Sequence, residues 1–145
     1  MCQDSGPDPY PPRATRDLLA KNPCAASRME ELKDVQFSSE MAYMGRWRET
    51  PPALGELVRT WARSLKIEEP KFPAELNIRD GGDSWWALAP EPVEDYLKRR
   101  AKVGDRVVLY MSYAGCSAGR PVLVIEDVGR PAYEDLEDEA ETYVA

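Results

Sequence analysis

Between Thr50 and Lys66, Leu54, Leu57, Val58, Trp61, Ala62 and Leu65 recur at spacings of three and four. Glu56, Arg59, Arg63 and Lys66 fill the other sides. That period fits the apolar face of an α-helix and no strand. Thr50-Pro51 supplies a capping hydroxyl and a proline for the first helical position. On either side of this helix the period falls to two. Val35, Phe37, Ser39, Met41 and Tyr43 alternate with Gln36, Ser38, Glu40 and Ala42, as in a half-buried strand, and Gly45 ends the run. Glu75 to Arg79 and Ser84 to Ala89 predict two strands joined by the turn Asp80-Gly81-Gly82-Asp83. Glu91 to Lys102, with Val93, Tyr96 and Leu97 on one face, predicts a second helix. Arg106 to Tyr113 and Pro121 to Asp127 predict the last two strands, with a flexible loop over Ala114 to Gly119 between them. Upstream, a helical stretch is expected between Ala14 and Lys33. It is interrupted at Asn22-Pro23 and has capping-box spacing at Ser27-x-x-Glu30.

A chain of 145 residues with 43% hydrophobic content can fill one core. Its longest apolar run, Val107 to Met111, is far too short to cross a bilayer as a helix. Residues 1–14 read as a flexible proline-rich arm, 15–133 as a single α+β domain, and 134–145 as an acidic tail. The net charge of −7 belongs mostly to that tail, which carries −6 and leaves the rest of the chain at −1. A nearly neutral body argues against a dedicated nucleic-acid binder, because phosphate neutralisation dominates such affinity.

The stretch Tyr96-Leu97-Lys98-Arg99-Arg100-Ala101-Lys102-Val103-Gly104-Asp105-Arg106-Val107-Val108-Leu109-Tyr110 resembles the helix that enters the fourth strand of an OB-fold. With the preceding hairpin and the last strand, the resemblance covers roughly residues 75–128. It implies a small OB-like β-barrel of about five strands, with a helix between strands three and four. The amphipathic helix at 50–66 departs from that pattern, since the first two strands of an OB-fold normally form a direct hairpin. An SH3-like barrel and an α+β sandwich stay open as alternatives.

Three cysteines, Cys2, Cys24 and Cys116, are too few for a disulfide framework, and no CxxC pair exists. Cys24 and Cys116 are either one bridge, formed in an oxidising compartment, or two partly buried thiols; the count alone slightly favours thiols. Met1-Cys2-Gln3-Asp4-Ser5-Gly6-Pro7 resembles the mature start of a bacterial lipoprotein, which implies lipidation of Cys2, a tether and a place in the cell envelope. The charged and apolar regions of a signal peptide are not visible. A cytosolic N-terminus with a chance cysteine is the other reading.

The chain has no histidine, so neither a Ser-His-Asp nor a Cys-His relay can be assembled. No GxxxxGK[ST] stretch or GxGxxG turn cradles a phosphate, and neither a metal site nor a cofactor is expected. Cys116 beside Arg120 is the one candidate nucleophile, since a cation lowers a thiol's pKa. Its bland reading is a small filler residue. Recognition fits the residues better. Trp85 and Trp86 are adjacent on a strand and face opposite sides, so one is expected in the core and the other outside as a contact anchor. Lys98, Arg99, Arg100, Lys102 and Arg106 form a local patch; residues 98–106 sum to +4. The expected function is therefore non-catalytic recognition of another protein in the bacterial cell envelope. The alternative is an OB-fold that binds single-stranded nucleic acid through stacking aromatics and bases. An inhibitor or immunity-type partner protein and a thiol enzyme using Cys116 are minor alternatives.

Overall fold

The computed structural model describes residues 10–20, 23–32, 35–64 and 72–129. Two short helices, α1 (Thr15–Leu18) and α2 (Ala26–Leu32), precede β1 (Gln36–Ala42) and β2 (Trp47–Glu49). A 3-10 turn over Pro52–Leu54 runs into α3 (Gly55–Ser64). Then come β3 (Ala74–Asp80), β4 (Asp83–Ala89), α4 (Glu91–Arg100), β5 (Arg106–Ser117) and β6 (Arg120–Gly129). The strands form one sheet in the order β1-β5-β6-β4-β3-β2. Every neighbouring pair is antiparallel except β4 and β6, which run parallel with Ala87 opposite Leu123 and Leu88 opposite Val124.

This is an α+β fold with OB-like strand order, but the sheet has six strands rather than about five and is not closed into a barrel. The difference lies at residues 43–46. Gly45 adopts φ +67°, and a Cβ there would meet Val103 Cγ2 at 2.9 Å, so only glycine turns the chain at this point. The bend passes the backbone from one edge of the sheet to the other. Tyr43 N–H donates to Asp105 O (2.7 Å) on the β5 side, and Arg46 O accepts from Asn77 N–H (2.8 Å) on the β3 side. The alternating run becomes β1, a strand the sequence reading did not include follows the bend as β2, and the sheet's two edges are joined by covalent chain rather than by a ladder. The free side of β1 is occupied instead by residues counted with the arm. Ser38 N–H donates to Pro11 O (3.0 Å), and Arg13 N–H donates to Ser38 O (2.8 Å).

Two apolar layers hold the sheet. On its inner face Phe37, Met41, Leu76, Ile78, Leu109 and Leu123 pack with Val93 and Leu97 of α4 and with Leu18 and Leu32 of the N-terminal helices. On the outer face Leu54, Val58, Trp61 and Ala62 of the 3-10 turn and α3 cover Leu88, Val122 and Val124. The three-and-four spacing thus finds its partner on the sheet. Each such aliphatic side chain stabilises the fold by about 1.5–3 kcal/mol relative to exposure.

Several local expectations shift. The stretch from Ala14 to Lys33 is two short helices, and Ser27 lies inside α2 rather than capping it. Thr50 Oγ1 is buried without a hydrogen-bond partner, and Pro51 precedes the turn with no side-chain cap. The flexible loop expected over Ala114 to Gly119 is mostly strand, because β5 continues to Ser117 and turns through Ala118 and Gly119. Cys116 therefore sits in a ladder, opposite Pro121, and is joined to Cys24 by a disulfide with Cα atoms 5.8 Å apart. The bridge ties the turn before α2 to β5, and Tyr113 Oη–H reinforces it by donating to Pro23 O (3.2 Å). Cys2 and the acidic tail at 134–145 lie outside the described residues.

At the arm, Tyr10 stacks edge-on against Tyr110 with ring centroids 5.5 Å apart. The Glu126 carboxylate beside it accepts hydrogen bonds from Ser112 and from Gln36 Nε2 (3.2 Å). Burial, and then the charge of Glu126, push the Tyr10 phenol up from 10.0 to about 12. Burial also raises Tyr113, against the opposing charge of Arg28.

Two outcomes follow. Replacing Cys24 and Cys116 by serine lowers the unfolding free energy by about 2–5 kcal/mol in a urea titration, and a thiol reductant reproduces the shift. In alkali, Tyr10 stays protonated in the folded chain while the unfolded chain loses that proton. Stability therefore falls as pH rises from 10.0 to about 12. Urea midpoints measured across that range decline less steeply in Tyr10→Phe, with a residue of slope left by Tyr113.

Candidate functional site

Period two along β4 puts Trp85 and Trp86 on opposite faces, and both are half-buried. Trp85 shares its face with Ala87 and Ala89 and packs on the inner core. Trp86 shares the other face with Leu88, where α3's cover stops short of it. What lies over Trp86 is Arg48. Its guanidinium carbon sits 4.2 Å from the ring centroid, a cation–π contact. Arg48 and Glu75 are register partners on β2 and β3, and Arg48 Nε donates to Glu75 Oε1 at 2.8 Å. The Glu75 side chain is only 3% exposed, while that of Arg48 is 43% exposed. A buried carboxylate thus holds a guanidinium over the Trp86 ring. Beside them Asn77 donates through Nδ2 to Trp85 O (3.3 Å), leaving Oδ1 buried without a hydrogen-bond partner.

This stack forms part of the wall of a groove of about 570 Å³. Pro51 and Leu54 supply an apolar side from the 3-10 turn, and Pro121 and Val122 extend it along β6. Ser84, Ser117 and Arg120 bring polar groups to the rim. The groove lies where the β2–α3 connection and the β5–β6 turn meet the outer face of β3 and β4. It offers a flat stacking surface, a dry wall and cationic groups.

The basic group is elsewhere. Residues 98–106 contribute nothing to the groove's lining. Lys98, Arg99 and Arg100 occupy the last turn of α4, where cations offset the negative end of the helix dipole. Lys98 pairs with Glu94 (2.8 Å) and reaches over the Trp47 ring, and Arg106 pairs with Glu40 (2.9 Å). Among the described residues, Arg99, Arg100 and Lys102 have no ion pair. Trp86 and the basic patch are therefore two surfaces, not one. Sequence reasoning missed Arg48 and Glu75, and it placed Arg120 beside Cys116 as a thiol activator rather than in the groove. The usable signal was a charged residue alternating with Leu76 in a predicted strand, since an inward-or-covered glutamate requires a partner.

Cys116 carries no thiolate, because its sulfur is in the disulfide. Among the described residues no group of three or more Cys, Asp or Glu side chains converges to hold a metal. No described helix is long and apolar enough to cross a membrane.

The two arginine pairs should respond differently to truncation. Arg48→Ala strands a buried carboxylate and costs about 1–3 kcal/mol. Arg106→Ala breaks a pair whose side chains are 44% and 40% exposed, and costs less than about 1 kcal/mol. Urea denaturation of both variants checks the order.

No protein-family profile matches the chain, and no curated protein does. Among solved structures, the mitochondrial single-stranded DNA-binding protein Rim1 from S. cerevisiae is 13% identical at a TM-score of 0.40. That match covers 67% of this chain and 93% of Rim1. A putative aspartyl-tRNA synthetase from Leishmania major Friedlin is 14% identical at a TM-score of 0.45, over 88% of this chain and 22% of the synthetase. Likeness this loose carries no inference about what this chain does.

Proposed function

We propose that the chain is a recognition module, without catalysis, that binds single-stranded nucleic acid in the groove over Trp86. The observation that carries this reading is the Arg48 guanidinium held over the Trp86 ring by the buried Glu75. Bases stack on tryptophan faces and on guanidinium planes whatever their sequence. Glu75 sets the plane of Arg48 in advance, so little side-chain entropy is lost when a base joins the stack. Arg120 at the β5–β6 turn and Arg79, exposed on β3, supply cations for the adjoining phosphates. The dry wall of Pro51, Leu54 and Val122 suits the apolar edge of a base.

With few phosphate contacts and a nearly neutral body, binding is weak and only mildly salt-dependent. Two neutralised phosphates correspond to a log–log salt slope of about −1.4. The test is fluorescence anisotropy of a labelled oligothymidylate of about 15 nucleotides, a length within the span of one such domain. Trp86→Ala weakens binding by about 5- to 150-fold, matching the usual worth of one stacked base. Arg120→Ala lowers the slope by about 0.7. Arg99→Ala combined with Arg100→Ala leaves the affinity nearly unchanged. Binding that ignores Trp86→Ala, or that vanishes only with the Arg99 and Arg100 changes, removes the groove from the reading.

One observation favours a second reading. The Cys24–Cys116 bond belongs to chemistry that persists in oxidising compartments. A protein partner in the bacterial envelope fits that setting, with Trp86 as the anchor of a protein interface. Absence of oligonucleotide binding at low salt leaves this reading standing alone.

A further inference from the structure

A second concavity lies on the opposite side of the 3-10 turn from the groove, and the two share only Ala53. It is a cleft of about 820 Å³ between α2 and α3, within the size range of small-molecule sites. Met29 and Glu30 project into it from α2, and Glu56, Leu57 and Trp61 from α3. With Ala26 on α2 and Thr60 on α3, which also line the cleft, each set recurs at spacings of three and four on one helix face. The floor is β5 from Tyr113 to Cys116. Gly115 keeps that floor low, because at φ +130° a Cβ there would be strained and would stand 3.6 Å from Leu57 Cδ1. The α2 wall is anchored by the Cys24–Cys116 bond and by Arg28 Nη2 donating to Leu18 O (2.9 Å).

The lining has one electrical sign. Glu30 lies on the α2 wall and Glu56 on the α3 wall; among the described residues no basic side chain lines the cleft, and neither carboxylate is in an ion pair. Between them lie aromatic and aliphatic surfaces of Trp61, Tyr113, Leu57 and Met29. Carboxylates at the rim of an apolar cleft attract a positive charge by Coulomb force, and the apolar lining below takes up the hydrocarbon part that carries it. The same charges repel phosphate, so this cleft does not extend the nucleic-acid path.

We propose that the cleft is a separate binding site for a small organic monocation, an amine carrying an aromatic or aliphatic body. The body occupies the space over Leu57, Trp61 and Tyr113, and the ammonium lies between Glu30 and Glu56.

The test is an amide ¹H–¹⁵N titration of the oxidised protein with three probes of matched shape: phenethylammonium, 2-phenylethanol and 3-phenylpropanoate. The expected result is saturable shifts confined to residues 26–30, 53–61 and 113–116. The cation should bind about five- to tenfold tighter than the alcohol, as two partly solvated carboxylates allow, and the anion should bind weakest. Glu30→Gln and Glu56→Gln, both at exposed positions, each bring the cation's affinity toward the alcohol's and leave the alcohol's unchanged. Equal affinity for cation and alcohol, shifts centred on other residues, or no saturable shift with the cation would overturn the proposal. None of these readouts depends on oligonucleotide binding, so the two sites stand or fall separately.

Discussion

The parallel contact between β4 and β6 is the constraint on which the rest of the molecule turns. Two antiparallel hairpins, β3–β4 and β5–β6, meet there, and a parallel junction requires a crossover rather than a tight turn. α4 is part of that crossover, with Val93 and Leu97 buried on the inner core. The strands at the junction are buried on both faces. Ala87 and Leu123 point inward, while Leu88 and Val124 point outward. An outward leucine there needs a cover, and α3 is the cover. Its insertion after β2, the chief departure from a simple OB-like order, thus follows from how apolar the junction strands are.

Where α3 ends its coverage, function becomes possible. Trp86 continues the same outward face one register beyond Leu88, past the reach of the helix, and is dressed by a charged side chain instead of an apolar one. The helix's two flanks also create two concavities of different character. On the β3–β4 side the walls carry Arg48, held by the buried Glu75, and Arg120. On the α2 side they carry carboxylates and no arginine. The 3-10 turn over Pro52–Leu54 therefore stands between two concavities whose charged side chains differ in sign.

The elements legible in the sequence were those whose periodicity matches a single burial environment. Phe37, Met41 and Tyr43 showed β1; Leu54, Val58, Trp61 and Ala62 showed α3; and Gly81-Gly82 marked the β3–β4 turn. What stayed hidden depends on contacts between distant residues. Nothing local reveals that Tyr10 to Arg13 lie along Ser38, that Gly45 sends the chain to the opposite edge, or that Cys116 belongs to a strand opposite Pro121. The candidate site was half legible for the same reason. Alternation required Trp85 and Trp86 to separate, but the outward one could be identified only once Leu88 was seen under α3. Arg48 and Glu75 are 27 positions apart and acquire meaning only as neighbours across β2 and β3. The cluster at 98–106 lies away from the groove, and its first three bases sit in the last turn of α4, where cations offset the helix dipole.

The 92-residue separation between Cys24 and Cys116 also bears on how the molecule is made. A ribosome or a translocation channel releases the first sulfur long before the second. During most of synthesis Cys24 has no native mate and is open to any other thiol nearby. Its true mate emerges in the penultimate strand, when almost all of the sheet is already outside. Correct oxidation is therefore a closing act of maturation, and a chain cut short before β5 would carry a permanently reactive sulfur.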